Sequence, residues 1–357
     1  MSVDRSSFST ALMHELQGNM DNSHGSENWD PDRFGMYQPP LSSAVVLKPD
    51  EVLSRIEDSI EELAVVYDLL ADEASKLILV KVLAYRLMGP QKVKLPLSTT
   101  AYWEQREGLR SLIIGSEAIK ISFPDLTLNY MRLEKIGYPI EFYFAPVGVM
   151  ATFILKQYEY GKCKPNVKAQ EGDYVIDGGG CWGDTALYFA HEVGPRGKVF
   201  TFEFAPENLE IFERNVKLNP QLSQRIEVVQ RALWDSSGQV IHYAPYGPAT
   251  SVVHSQQDAD SLQVTTLSID DFVSESKLPR VDFIKMDIEG AELKALKGAE
   301  RTLRSFGPRL AISVYHRDRD FMDIPNYLES LGLGYRFFLD HFTIYGEETI
   351  LFAQTFR

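Results

Sequence analysis

A chain of 357 residues with 44% hydrophobic content is long enough to bury one large domain plus an appendage, or two domains. Its formal net charge of -14 argues against unaided binding to nucleic acid, which needs a basic footprint. Only two cysteines, Cys163 and Cys181, are present, so no disulfide framework is implied and a reducing, cytoplasmic setting is expected. The opening residues MSVDRSSFST carry no apolar core of a signal peptide. No apolar run approaches the length of a membrane span, so neither secretion nor a membrane role is expected.

Residues 1–45 are polar and unpatterned and read as a mobile tail or arm. Residues 46–141 read as a mainly helical region. Leu53, Ile56, Ile60, Leu63 and Leu70 share one helix face, which serves either as core, the favoured reading, or as a homodimer seam. Asp72 is placed to cap a second helix bearing Leu77, Val80, Leu83, Ala84 and Leu87, which Gly89-Pro90 stops. The aromatic segment from Pro139 to Tyr160 reads as a strand, a turn near Pro146-Val147-Gly148 and a helix ending near Gly161.

From Gly172 the pattern becomes regular. Strands are expected at 174–177, 198–204, 226–233, 281–287 and 309–315. Helices are expected at 183–193, 206–218, 291–304 and 320–331. Alternation at this spacing implies a parallel sheet with right-handed crossovers. Residues 234–272 interrupt it with turn chemistry and two short strands, Gln239–Tyr243 and Leu262–Leu267. Two final β-like runs, Tyr335–Leu339 and Thr349–Ala353, lie too close for a parallel crossover and must form a hairpin. The expected fold is therefore α/β, a mostly parallel Rossmann-like sheet with an antiparallel last strand, preceded by a helical extension. The main domain is placed at 142–357.

The stretch Asp177-Gly178-Gly179-Gly180-Cys181-Trp182-Gly183-Asp184 follows an apolar strand and opens a helix. Glycines let the backbone approach a ligand, and a helix N-terminus offers it N–H groups. Gly178, Gly180 and Gly183 satisfy a G-x-G-x-x-G pattern, and Glu203 follows about 20 residues on, where a ribose-binding acid belongs. Two cofactors fit, a nicotinamide dinucleotide and S-adenosylmethionine. Asp177 before the glycines favours the second: a carboxylate repels a pyrophosphate and attracts the methionine ammonium.

These motifs resemble FkbM-type S-adenosylmethionine-dependent methyltransferases. The resemblance is carried by Val175-Ile176-Asp177-Gly178-Gly179-Gly180-Cys181-Trp182-Gly183-Asp184 and by Phe202-Glu203-Phe204-Ala205-Pro206 with Asn208. It continues through Ala232-Leu233-Trp234-Asp235 and Leu267-Ser268-Ile269-Asp270-Asp271-Phe272. The most specific piece is Ile284-Lys285-Met286-Asp287-Ile288-Glu289-Gly290-Ala291-Glu292, followed by Ser313-Val314-Tyr315-His316. The family loop usually carries Ala-Asn where this chain has Gly180-Cys181. The resemblance implies a class I fold and O-methylation of a sugar or secondary metabolite.

On this reading Asp177, Gly178, Gly179, Gly180, Trp182, Gly183, Glu203, Phe204, Asn208, Ala232, Leu233 and Tyr158 hold the cofactor. Ala232 and Leu233 border the adenine, and Tyr158 with Tyr160 closes over the methionine end. His316, ending the fifth parallel strand at the carboxyl edge, is the expected general base. Asp287 and Glu289 arrange the small-molecule acceptor, and Glu292 reads as a favourable charge at a helix N-terminus. A divalent metal such as Mg²⁺ on Asp287, Glu289 and His316 is the lesser reading. Lys285 either neutralises Asp287 or forms a structural ion pair. The rival functions are an NAD-dependent oxidoreductase and a scaffold that binds cofactor without turnover.

Overall fold

The computed structural model describes residues 5–31, 48–121, 125–244, 247, 250–253 and 262–355. Part of the segment expected to be a mobile tail is ordered. Helix α1 (Arg5–Asn19) buries Phe8, Leu12 and Leu16 completely, at the i, i+4, i+8 spacing of one face. Residues 1–4 and 32–45 of that segment lie outside the described residues.

The Leu stripe is core rather than an exposed seam: Leu63 and Leu70 are buried, and the stretch bends at Ile56 before α2 (Ile60–Leu69). Helix α3 (Glu73–Met88) begins where the Asp72 carboxylate accepts from the Ser75 N–H at 2.8 Å. It ends at Gly89, whose φ of +82° suits glycine. Leu77, expected on its buried face, is half exposed.

The region 91–141 is less helical than its expected role suggests. After a helix at Thr100–Gly108 it forms an antiparallel meander of β1 (Ile113–Ile121), β2 (Leu126–Arg132) and β3 (Glu141–Phe144). Pro146, expected in a turn, instead opens the short helix Pro146–Val149, which continues to Ile154.

The central sheet contains β4 (Tyr174–Gly178), β5 (Lys198–Phe202), β6 (Ile226–Val229), β11 (Phe283–Met286), β12 (Arg309–Ser313), β13 (Tyr335–His341) and β14 (Thr349–Thr355). Its order is β13-β14-β12-β11-β4-β5-β6. Neighbours from β12 to β6 pair in parallel, and β14 inserts antiparallel between β12 and β13. The closing hairpin thus completes the sheet as expected. The run 226–233 divides: β6 stays in the main sheet, while β7 (Ala232–Leu233) pairs with β10 (Leu262–Leu267). On the other side of β10 lies β8 (Val240–Ala244), and β9 (Ser251–Val253) pairs with β8 at the edge.

The strand period of two divides the sheet's apolar residues between two cores. Ile176, Ile284, Met286 and Ile312 face a cluster that includes α1 to α3. Val175, Val199, Phe283 and Ala311 face a second cluster that includes the meander and α4 (Asp184–Glu192). The order reverses between β4 and β11, and open α/β sheets bind ligands at such a switch point.

Candidate active site

A cleft opens at the carboxyl ends of β4, β5 and β11. Of the residues expected to hold the cofactor, Gly179, Glu203, Phe204, Asn208 and Leu233 line it, and so do Asp287 and Glu289. Glu203 is anchored by its own turn. Its Oε1 accepts the N–H groups of Phe204 and Ala205 at 2.7 and 2.8 Å, and Asn208 Nδ2 lies 3.4 Å from Oε2. Burial raises its carboxyl pKa, partly offset by these donors. Pro206 starts helix α5 (Pro206–Leu218), which carries Asn208; Asn208 also donates to the Gly247 carbonyl at 3.1 Å.

Several expected contacts are structural instead. Asp177 is fully buried and does not reach the cleft. Its carboxylate takes Thr185 Oγ1 at 2.9 Å, Thr201 Oγ1 at 3.2 Å and Lys285 Nζ at 3.1 Å. Lys285 also donates to the carbonyls of Gly178 and Gly179 at 2.9 and 2.7 Å, so it ties the glycine loop to β11. The structural ion pair is therefore the role of Lys285, and its partner is Asp177.

Trp182 is buried against Phe144, with 6.2 Å between ring centroids, and its carbonyl accepts from Asn215. The cleft residue of this pair is its neighbour Cys181. Gly178, Gly180, Gly183 and Ala232 support the cleft without lining it. Close packing requires two of the glycines: a Cβ on Gly179 would stand 2.0 Å from the Asp287 carbonyl oxygen, and one on Gly180 2.1 Å from Thr201 Cγ2. Tyr158 is buried and donates to Asp287 Oδ2 at 3.1 Å; Tyr160 is sealed in the core, bonded to Asp72 at 2.7 Å. Trp234 packs beneath Lys294 rather than in the cleft.

The reactive end is built from two strand tips. Asp287 follows β11, and Tyr315-His316 follow β12. Tyr315 donates to Asp287 Oδ1 at 3.1 Å, and Arg86 from α3 holds the Tyr315 carbonyl at 2.8 Å. His316 is buried among three carboxylates. Nε2 lies 3.3 Å from Asp287 Oδ1 and 3.6 Å from Glu289 Oε2, and Nδ1 lies 2.9 Å from Glu292 Oε1. Burial opposes its charging, but Glu292, Glu289 and Asp287 outweigh it and hold the imidazole pKa well above its ordinary value. A general base must start neutral, and the carboxylates around His316 favour the charged ring as long as nothing else neutralises them. Asp287 is held below the usual carboxylate range: burial alone would raise it, but His316 and Lys285 prevail. Burial raises Glu289.

Glu292 opens α6 (Glu292–Lys297), as expected of a charge at a helix start, and its Oε1 accepts the Ile288 N–H at 2.8 Å. Sequence reasoning passed over Glu348 and Gln157. Gln157 donates to Glu348, whose Oε2 lies 3.3 Å from the Tyr315 hydroxyl. Burial, then Asp287, push the Glu348 carboxyl up to about 8. Cys181, Glu289 and Glu348 all hold positive φ, of 40°, 54° and 65°. Non-glycine strain of this kind gathers at functional sites. Phe202, Arg231, Gly247, Thr250, Ile288 and Ala291 also line the cleft.

A seven-stranded sheet of this order, with a cleft at its switch point and an acid closing the second strand, defines a class I S-adenosylmethionine-dependent methyltransferase fold. Residues 160–337 match the Methyltransferase FkbM domain, and the chain belongs to that family. It is similar to Methyltransferase 1 of Beauveria bassiana, 24% identical over 200 residues, which are 50% of this chain and 80% of the relative. The Hexuronic acid methyltransferase AglP of Haloferax volcanii is 27% identical over 166 residues, 46% of this chain and 65% of that protein. Among solved structures, a Methyltransferase FkbM from Methylobacillus flagellatus KT superposes with a TM-score of 0.54 at 21% identity. That match covers 84% of this chain and 60% of the solved one. The family decides the cofactor between the two candidates in favour of S-adenosylmethionine. No helix among the described residues is long and apolar enough to cross a membrane.

Proposed function

We propose that this protein transfers a methyl group from S-adenosylmethionine to a hydroxyl oxygen of a small molecule. The carrying observation is that Asp287 and Glu289 line the same cleft as Glu203 and the Gly179 turn, so one cavity offers both a ribose acid and a polar acceptor end. In this reading Glu203 and Asn208 receive the ribose, and Leu233 borders the adenine. The chain turning at Gly179 and Cys181 receives the methionine end.

The sulfonium is already activated, so the main task is alignment of the hydroxyl oxygen with the S–CH₃ bond. The oxygen–methyl bond forms as the sulfur–methyl bond breaks, leaving S-adenosylhomocysteine. The hydroxyl proton passes to a carboxylate, Asp287 or Glu289, and then to solvent. Tyr158, Tyr315 and His316 are positioning residues that fix the Asp287 carboxylate. Residues 142–357 form the catalytic unit, and an acidic chain with free cysteines suits a cytoplasmic setting.

The names of the relatives favour a sugar acid or secondary metabolite as acceptor; one is a hexuronic acid methyltransferase. The test is transfer of labelled methyl from S-adenosylmethionine to a panel of uronic acid glycosides, polyketide alcohols and amines. Label in an alkali-stable ether supports the reading. Label confined to amine nitrogen contradicts it.

A further inference from the structure

We propose that Asp287, Glu289 and His316 form a binding site for one divalent cation that accepts mixed oxygen and nitrogen ligands, of the Mn²⁺ type. The inference rests on the methyl-transfer reading and specifies how its acceptor end is built. One atom from each residue lies within 4.8 Å of the others. Nε2 is 3.3 Å from Asp287 Oδ1 and 3.6 Å from Glu289 Oε2. Octahedral ligands with bonds of about 2.1 Å stand about 3 Å apart when adjacent and about 4.2 Å apart when opposite. The two distances from Nε2 fall between those limits.

A second observation is independent of the spacing. The His316 side chain is only 7% exposed, yet neither ring nitrogen makes an aligned hydrogen bond. Asp287 Oδ1 is near enough to Nε2 but off its N–H direction, and Glu289 Oε2 stands 3.6 Å away. Poor alignment for N–H···O is what three ligands produce when they converge on a common point between them.

The surroundings are those of a metal shell. A ligating histidine commonly turns its other nitrogen to a carboxylate, and His316 Nδ1 lies 2.9 Å from Glu292 Oε1. Ligating carboxylates are themselves hydrogen-bonded, and Asp287 receives Tyr158 and Tyr315 at 3.1 Å each. Lys285 favours the charged Asp287 carboxylate from a distance, but its ammonium bonds Asp177 and two loop carbonyls rather than any of the three ligands. Glu289 and Asp287 line the cleft, so the remaining coordination positions open toward the acceptor.

Three protein ligands leave positions for substrate oxygens. A cation there holds an acceptor that presents two neighbouring oxygens, a vicinal diol or a hydroxy acid. It lowers the pKa of the hydroxyl that will be methylated. The proton still leaves to solvent, and the methyl balance is unchanged.

The probe is MnCl₂ titrated into the full chain, read by the loss of free Mn²⁺ signal in electron paramagnetic resonance. One saturable site per chain is expected, weakened at least about tenfold in Asp287→Asn, Glu289→Gln and His316→Ala. Glu289, the most exposed ligand, is the variant least able to disturb folding. S-adenosylhomocysteine binding, measured in parallel, should survive in Glu289→Gln. Absence of saturable Mn²⁺ uptake at millimolar concentration, or uptake indifferent to Glu289→Gln and Asp287→Asn, overturns the site. Labelled methyl transfer that persists in EDTA also overturns it while leaving the methyltransferase reading intact. Loss of S-adenosylhomocysteine binding from the unaltered protein would instead sink that reading itself.

Discussion

Asp177 and Asp287 are the same residue type at the tips of adjacent parallel strands, and they do opposite work. Asp177 falls inside the paired register, opposite Lys285 on β11 and Thr201 on β5. Those two side chains and Thr185 seal its carboxylate from the cleft. Asp287 stands one residue past the end of β11, beside Gly179. The missing side chain of Gly179 admits the Asp287 backbone, and the Asp287 carboxylate remains at the cleft wall. A carboxylate at a strand tip becomes structural or functional according to one step of register.

The largest expected effect breaks the structural member. Asp177→Ala leaves Lys285 charged, buried and short of its main partner, which costs about 3–5 kcal/mol. Urea unfolding measures it, and a loss below 1 kcal/mol would mean that the pair is not what holds the loop. Asp287→Asn should do the reverse. Methyl transfer to the acceptor found by labelling should fall about 100-fold or more, whereas the stability loss should be smaller than for Asp177→Ala, because an amide oxygen can still accept from Tyr158 and Tyr315. Equal stability losses for the two variants would erase the distinction.

A smaller effect concerns Asp184, the first residue of α4. It is buried, and burial lifts its carboxyl from 3.8 to about 6 despite Lys285 and Thr152. The protonated form is favoured by the fold, so its contribution is full below the unfolded pKa of 3.8 and is lost as pH rises through 6. Two units correspond to about 3 kcal/mol at most. Asp184→Asn should therefore flatten the decline in melting temperature between about pH 4 and 6. An unchanged slope would assign the decline to other groups.

Much of this molecule was legible in its sequence because its signals are local. Strand, glycine turn and helix succeed one another within a dozen residues at Asp177–Asp184, and Pro206 and Gly89 mark helix ends by backbone chemistry alone. The closing hairpin followed from loop length. Helix α1 was not legible: only Phe8, Leu12 and Leu16 mark its buried face in an otherwise polar stretch. The site was half legible. Glu203, Asp287 and Glu289 line the cleft because strand ends converge there. What a carboxylate faces once there depends on residues far away in the chain. Lys285 meets Asp177 across 108 positions, and Gln157 reaches Glu348 across 191. The charge environment of His316 arises from Glu292 and Glu289 on a turn that the strand pattern alone leaves unspecified.

The most direct test of the account is calorimetric titration of the full chain with S-adenosylhomocysteine and, separately, with NAD. The account predicts a single S-adenosylhomocysteine site and none for NAD. It also predicts that Glu203→Ala weakens that site by roughly 1–3 kcal/mol, because charged hydrogen bonds to the ribose go unmade. Tight NAD binding without S-adenosylhomocysteine binding would contradict the account. An unchanged dissociation constant in Glu203→Ala would show that the ribose is held elsewhere.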